Sequence, residues 1–133
     1  MPYKIWWEVE GHILYASYSG EVTVDELTAA MKDLDVEMTS HGGPFVNMIT
    51  DMRDVQRQPS LTEVLGVLRQ FETSEQLGWS LNVGDSNPLL RFMTTIAGQL
   101  MRQRMRSFDT PEEALAFLKE NDSSIDWTLQ KRG

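Results

Sequence analysis

A β-prone run, a polar connection and a capped amphipathic helix follow one another three times in this chain, and that alternation restricts the fold more than any other feature. The clearest copy is FVNMITDMRDVQRQPSLTEV, residues 45–64. Residues 45–52 are rich in apolar side chains and read as a buried strand. The run ends on Asp51, Arg53 and Asp54, which suits a central strand handing a polar loop, 51–59, to the ligand-facing edge of an α/β sheet. Ser60 and Glu63 then form a capping box, in which each satisfies a backbone N–H of the other at the helix start. Leu61, Val64, Leu65, Leu68 and Phe71 line the face of the helix that follows.

Two further copies complete the pattern. A strand over 78–83 leads through Gly84-Asp85-Ser86 to a helix opened by Asn87-Pro88, with proline placed where its missing N–H costs least. A short strand over 105–108 precedes Thr110-Pro111-Glu112-Glu113, a third capping box with proline at the first helical position, and Ala114, Leu115 and Leu118 face inward. Ahead of these units, residues 3–9 and 12–18 flank the turn Glu10-Gly11 and predict a hairpin closed by Ser19-Gly20. Thr23 and Glu26 cap a first helix whose stripe is Val24, Leu27, Met31, Leu34 and Met38. The expected fold is therefore α/β: a mixed, mostly parallel five-stranded sheet with an N-terminal β-hairpin and four helices, its parallel strands joined by right-handed crossovers.

Residues 1–121 are expected to make one domain, with 122–133 as a C-terminal tail. In that tail residues 125–129 alternate like a strand that folds back on the domain or adds to the edge of another subunit. Two observations suggest a sheet face that is only partly covered. Trp79, Leu81 and Val83 alternate with Ser80 and Asn82, and Lys4 and Glu8 flank Trp6 on the second face of the first strand.

Composition narrows the function classes. The formal charge of -8 repels phosphate backbones and anionic membranes, so no nucleic-acid partner is expected. The absence of cysteine excludes disulfides and thiol catalysis and suits a cytoplasmic setting. No leader pattern and no apolar run long enough for a transmembrane segment is present. His12 and His41 have no metal-ligand spacing.

The hairpin, the strand–helix units, the acidic end of the central strand and the closing run MRSFDTPEEALAFL, residues 105–118, together resemble the SpoIIAA-like branch of the STAS family, over roughly residues 3–121. The resemblance implies a SpoIIAA-like (STAS) fold, shared with CRAL-TRIO lipid-binding domains. It further implies a non-catalytic binding or regulatory module without a cofactor that engages a protein partner, itself included, or in some relatives a nucleotide or lipid. Family members switched by phosphorylation carry a serine after the central strand. Asp51-Met52-Arg53-Asp54 has none, so the phosphoswitch is expected to be absent, and the cap accounts for Ser60.

Three sets of residues are candidates. The first is a partner-binding surface of Asp51, Arg53, Asp54, Arg57 and Trp6, on the partly covered face and the loop beside it. The second is a site for a lipid or other apolar small molecule. It uses Gly84, Asp85, Ser86 and Asn87 at the start of the third helix, where no acid occupies the first turn, and Phe92 on a helix apolar around more than one stripe. The third is a magnesium-dependent phosphoryl enzyme using Asp51 and Asp54. Against it, acid-rich turns are ordinary and no lysine follows the last strand to steady a phosphate.

Overall fold

The computed structural model describes residues 3–71, 74–84, 88–100, 102 and 104–131. The elements are β1 (Tyr3–Val9), β2 (Ile13–Glu21), α1 (Val24–His41), β3 (Val46–Arg57), α2 (Leu61–Leu68), β4 (Leu77–Val83), α3 (Pro88–Leu100), β5 (Arg104–Phe108) and α4 (Pro111–Asn121), followed by a 3-10 turn at Trp127–Leu129. The strands lie side by side in chain order. β1 is antiparallel to β2, and β2 to β5 are parallel. This is the five-stranded mixed α/β sheet expected from the alternation of elements.

The first two capping boxes form as the sequence predicts. The Thr23 and Ser60 hydroxyls accept from the backbone N–H of Glu26 and Glu63, and both glutamates reach back to the cap N–H. The third is half made: Thr110 accepts from the Glu113 N–H, with Pro111 in the first turn, but the Glu113 carboxylate accepts from the Thr110 hydroxyl rather than from its backbone N–H.

Because neighbouring parallel strands are joined in sequence order by crossovers of one hand, α1, α2 and α3 share one face of the sheet. Leu14, Ala16, Tyr18 and Val46 pack there against Ala30, Leu34 and Met38 of α1. The other face carries Val9, Ile13, Tyr15, Ile49, Leu81 and Val83 against Ala114 and Leu118 of α4. α4 lies on β3, β4 and β5. The chain after α4 folds back over the β1 side: Ile125 enters the core, Gln130 bridges Val9, and the Lys131 N–H donates to the Glu8 carbonyl at 2.7 Å. That contact pairs part of an otherwise open sheet edge.

Three details differ from the sequence reading. β3 runs through Arg57, so residues 51–57 are strand rather than loop. The reason is that β2 does not close at Gly20. It continues to Glu21 through irregular register, with Gly20 at φ 65, and its outer residues pair Asp54, Val55 and Arg57. β4 stops opposite Asp51, which leaves this extension paired on one side, where polar side chains are tolerated. In α2 the buried residue is Val67. The two hints of an uncovered face also point to opposite faces. Lys4, Trp6 and Glu8 alternate with Tyr3, Ile5 and Trp7, which pack toward α1, whereas Ser80 and Asn82 lie beneath the helices and are buried.

Candidate functional site

The helix-covered face is not packed solid. A half-open cavity of about 200 Å³ lies between the sheet and α1, α2 and α3. Its floor is Met48, Thr50, Ser80 and Asn82 of the central strands, and its walls include Leu27 and Met31 of α1, Val64 and Leu68 of α2, and Met93 of α3. The floor follows from strand alternation: residues 48 and 50 of β3 lie beside 80 and 82 of β4 on the same face. Small polar side chains leave depth that a Leu or Ile would fill. Methionine, with its flexible thioether, supplies much of the surrounding wall through Met31, Met48, Met52, Met93 and Met105.

One floor group stands out chemically. Asn82 is 4% exposed, and among the described residues its Nδ2 has no hydrogen-bond partner. Leaving such a donor unmet costs about 1–3 kcal/mol. Tyr18, also on the wall, is held in its neutral phenol form because burial, followed by the nearby Tyr3, pushes its ionisation upward. A polar groove adjoins the cavity, sharing Val22, Gln58 and Pro59 with it and adding Glu21, Arg57 and Glu63.

The opposite face carries a second arrangement, built on Asp51. This carboxylate is 5% exposed. It accepts from the Tyr15 hydroxyl at 2.6 Å, from the Arg53 backbone N–H at 3.1 Å, and from Arg53 Nε and Nη2 at 3.0 and 2.8 Å. Burial pushes the Asp51 carboxyl up, but the Arg53 and Tyr15 hydrogen bonds outweigh it and hold the group below the ordinary carboxylate range. Tyr15 is pushed up, first by burial and then by Asp51. Trp6 stacks on Tyr15 with ring centroids 4.4 Å apart, and its indole N–H donates to Glu8 at 3.2 Å. Lys131 Nζ lies 5.7 Å from the Trp6 ring centroid. Trp6, Tyr15, Asp51 and Arg53 thus form one connected row.

The residues singled out from the sequence are distributed over both faces. Trp6, Asp51 and Arg53 come together, with Asp51 buried rather than presented on a loop. Asp54 and Arg57 are exposed on the outer part of β3, and Arg57 lines the polar groove. Gly84 takes φ 79, where only glycine sits without strain, and a Cβ there would lie 2.8 Å from the Arg53 Cα. The turn after β4 therefore abuts the Asp51–Arg53 pair, joining two groups that the sequence separated. Asp85, Ser86 and Asn87 lie outside the described residues. Phe92 is 54% exposed and stands apart from the cavity, which α3 reaches through Met93 and Thr94. Both oxygens of Asp51 are engaged by Arg53 and Tyr15, and among the described residues no group of three or more His, Cys, Asp or Glu could hold a metal ion.

Asn82 was missed as a site residue, although the Ser80-Leu81-Asn82 alternation marked it as polar within an apolar strand. Among the described residues no helix is long and apolar enough to cross a membrane.

No protein-family model matches the chain, and no curated protein matches it in sequence. Solved structures do match. A protein of the DUF3478 family with a SpoIIAA-like fold from Shewanella loihica aligns with a TM-score of 0.64 at 14% identity, over 87% of this chain and 93% of that one. The anti-sigma factor antagonist SpoIIAA in its unphosphorylated form aligns with a TM-score of 0.55 at 18% identity, over 89% of this chain and 96% of that one. At such identities the likeness speaks to architecture alone. Strand order, hairpin, crossovers and these alignments agree that the chain has the SpoIIAA-like fold of the STAS type.

Proposed function

We propose that this protein is a non-catalytic binding module that holds a small apolar molecule between its sheet and helices α1, α2 and α3. The observation that carries the reading is the cavity of about 200 Å³, apolar on most of its wall, with an unmet amide donor on its floor. Protein interiors are otherwise close-packed, and a dry cavity of about 150 Å³ is enough to take up benzene. The methionines around it can adjust to guests of different outline. A cytoplasmic setting fits a chain without cysteine.

Titration with 1-aminonaphthalene, a small neutral dye of two fused rings whose emission reports an apolar setting, tests the proposal. One dye per chain should bind with a blue-shifted, enhanced emission, and Val64→Trp, which fills the cavity from α2, should abolish the signal while circular dichroism stays native. Unchanged dye emission with micromolar protein, or binding that Val64→Trp leaves intact, would contradict it.

A second reading, engagement of a protein partner, is favoured by the exposed Arg53, Asp54 and Arg57 of β3 and by Trp6, half-buried on β1. SpoIIAA, which shares the fold, is an anti-sigma factor antagonist. Self-association through this face would give a dimer in sedimentation analysis that Trp6→Ala dissociates. A monomer at all concentrations, with no loss of partner capture in Trp6→Ala, speaks against it.

A further inference from the structure

We infer that the molecule held in the cavity presents an uncharged hydrogen-bond acceptor, a carbonyl of the ketone, ester, amide or quinone kind, to Nδ2 of Asn82. The inference rests on the proposed reading of the cavity and specifies its ligand.

The first ground is the amide itself. Asn82 is more than nine-tenths buried, it lies on the cavity floor, and among the described residues its Nδ2 has no partner. An amide nitrogen offers two donors and no acceptor, so the group that completes it must accept. Its position is fixed by the sheet: Asn82 sits in β4 between Thr50 of β3 and Ser107 of β5, so the donor cannot swing away as a loop residue could.

The second ground is charge. Among the described residues no Lys, Arg, Asp or Glu lines the cavity. The remaining polar groups on its wall, including the hydroxyls of Tyr18, Thr50 and Ser80 and the amide of Gln58, are neutral. A carboxylate or phosphate brought to Asn82 would be stripped of water with no cation to meet it, which is far costlier than burying a neutral carbonyl. Charged lining stands in the adjoining groove, at Glu21, Arg57 and Glu63, so any ionic part of a longer ligand belongs outside the floor.

The third ground is size. A cavity a little larger than one that holds benzene admits a ring with a short substituent, or the carbonyl end of a longer molecule that leaves through the groove.

Ring-matched probes separate these elements: ethylbenzene, acetophenone and benzoate, each competing against 1-aminonaphthalene on the full chain at neutral pH. Acetophenone should bind about tenfold tighter than ethylbenzene, the discrimination expected for one buried hydrogen bond. Benzoate should be at least about tenfold weaker than acetophenone. In Asn82→Leu the advantage of acetophenone over ethylbenzene should vanish while ethylbenzene still displaces the dye. As a measure independent of that variant's folding, the Asn82 side-chain amide protons of the wild-type protein should shift downfield in NMR with acetophenone and not with ethylbenzene. Equal affinity of ethylbenzene and acetophenone with an unmoved amide signal, or tightest binding by benzoate, would overturn the inference and leave an apolar pocket. If the dye does not bind at all, the cavity reading falls with it.

Discussion

Two buried asparagines in this sheet should respond to the same substitution with opposite signs. Asn47, 1% exposed, is fully used: its Nδ2 donates to Asp122 at 2.7 Å and its Oδ1 accepts from the Trp79 N–H at 2.8 Å. Asn82, 4% exposed, has an Nδ2 with no partner among the described residues. Asn47→Leu removes one bond to a charged group and one to a backbone amide, and leaves the part-buried Trp79 N–H without its acceptor while Asp122 keeps its bonds from Ser124. The expected loss is about 3 kcal/mol. Asn82→Leu removes an unmet donor that costs about 1–3 kcal/mol and places apolar volume beside a space of about 200 Å³, so the usual overpacking penalty of about 1–3 kcal/mol is largely avoided. We expect a net gain of about 1–2 kcal/mol for the ligand-free protein. With an unfolding entropy of about 0.28 kcal/mol/K for a chain this size, that is a rise in Tm of about 4–7 °C. Urea denaturation and calorimetry on delipidated protein would read both variants. If Asn82→Leu lowers stability by 1 kcal/mol or more, the amide is satisfied in solution, by water or otherwise, and the reasoning about the cavity floor is wrong.

Other substitutions test the opposite face and the backbone. Asp51→Ala should cost about 2–3 kcal/mol, because it leaves the buried Tyr15 hydroxyl unpaired. Arg53→Ala should cost less than about 1 kcal/mol, since that side chain is half exposed and its share of the pair is screened. Equal losses in urea titrations would show the ion pair to matter more than the hydroxyl. Asp51 is depressed in the folded state, so its contribution is fully present above the ordinary carboxylate value of about 4 and is lost as pH falls below it. Tyr15 and Tyr18 are raised, so theirs is present below about pH 10 and lost above it. In Asp51→Asn the acid limb of a stability–pH curve should flatten; an unchanged limb would assign acid sensitivity elsewhere. Gly84→Ala should destabilise by about 1–3 kcal/mol through positive φ and the Arg53 backbone beside it, and a neutral result in thermal melts would mean that the turn relaxes freely. Ser60→Ala should cost about 1 kcal/mol as the loss of a helix cap, whereas an unaltered Tm would reopen another role for that hydroxyl.

The architecture was legible because local and global signals agree along this chain. The capping boxes at Thr23 and Ser60 mark helix starts to the residue, and the order of strands and helices dictates a parallel sheet behind a hairpin. What the sequence could not carry was which face each polar residue meets. Ser80 and Asn82 read as a solvated face because an alternating strand usually has one, yet three crossovers of one hand cover that face and bury both. Asp51 read as the start of a loop because charges follow it. Its burial depends on Tyr15, thirty-six residues earlier, and no local pattern reports that pairing. The cavity is harder still, since it is a shortfall of packing among α1, α2, α3 and the sheet, and volume left unfilled between distant segments leaves no periodic trace.

Native mass spectrometry of gently purified protein, followed by organic extraction and identification of whatever is released, tests most directly whether the space beneath the helices is occupied by a guest. The account predicts one neutral, carbonyl-bearing apolar molecule per chain, lost on delipidation and recovered on adding it back. Spectra of bare chain from several preparations, together with no uptake of neutral apolar compounds by delipidated protein, would contradict it.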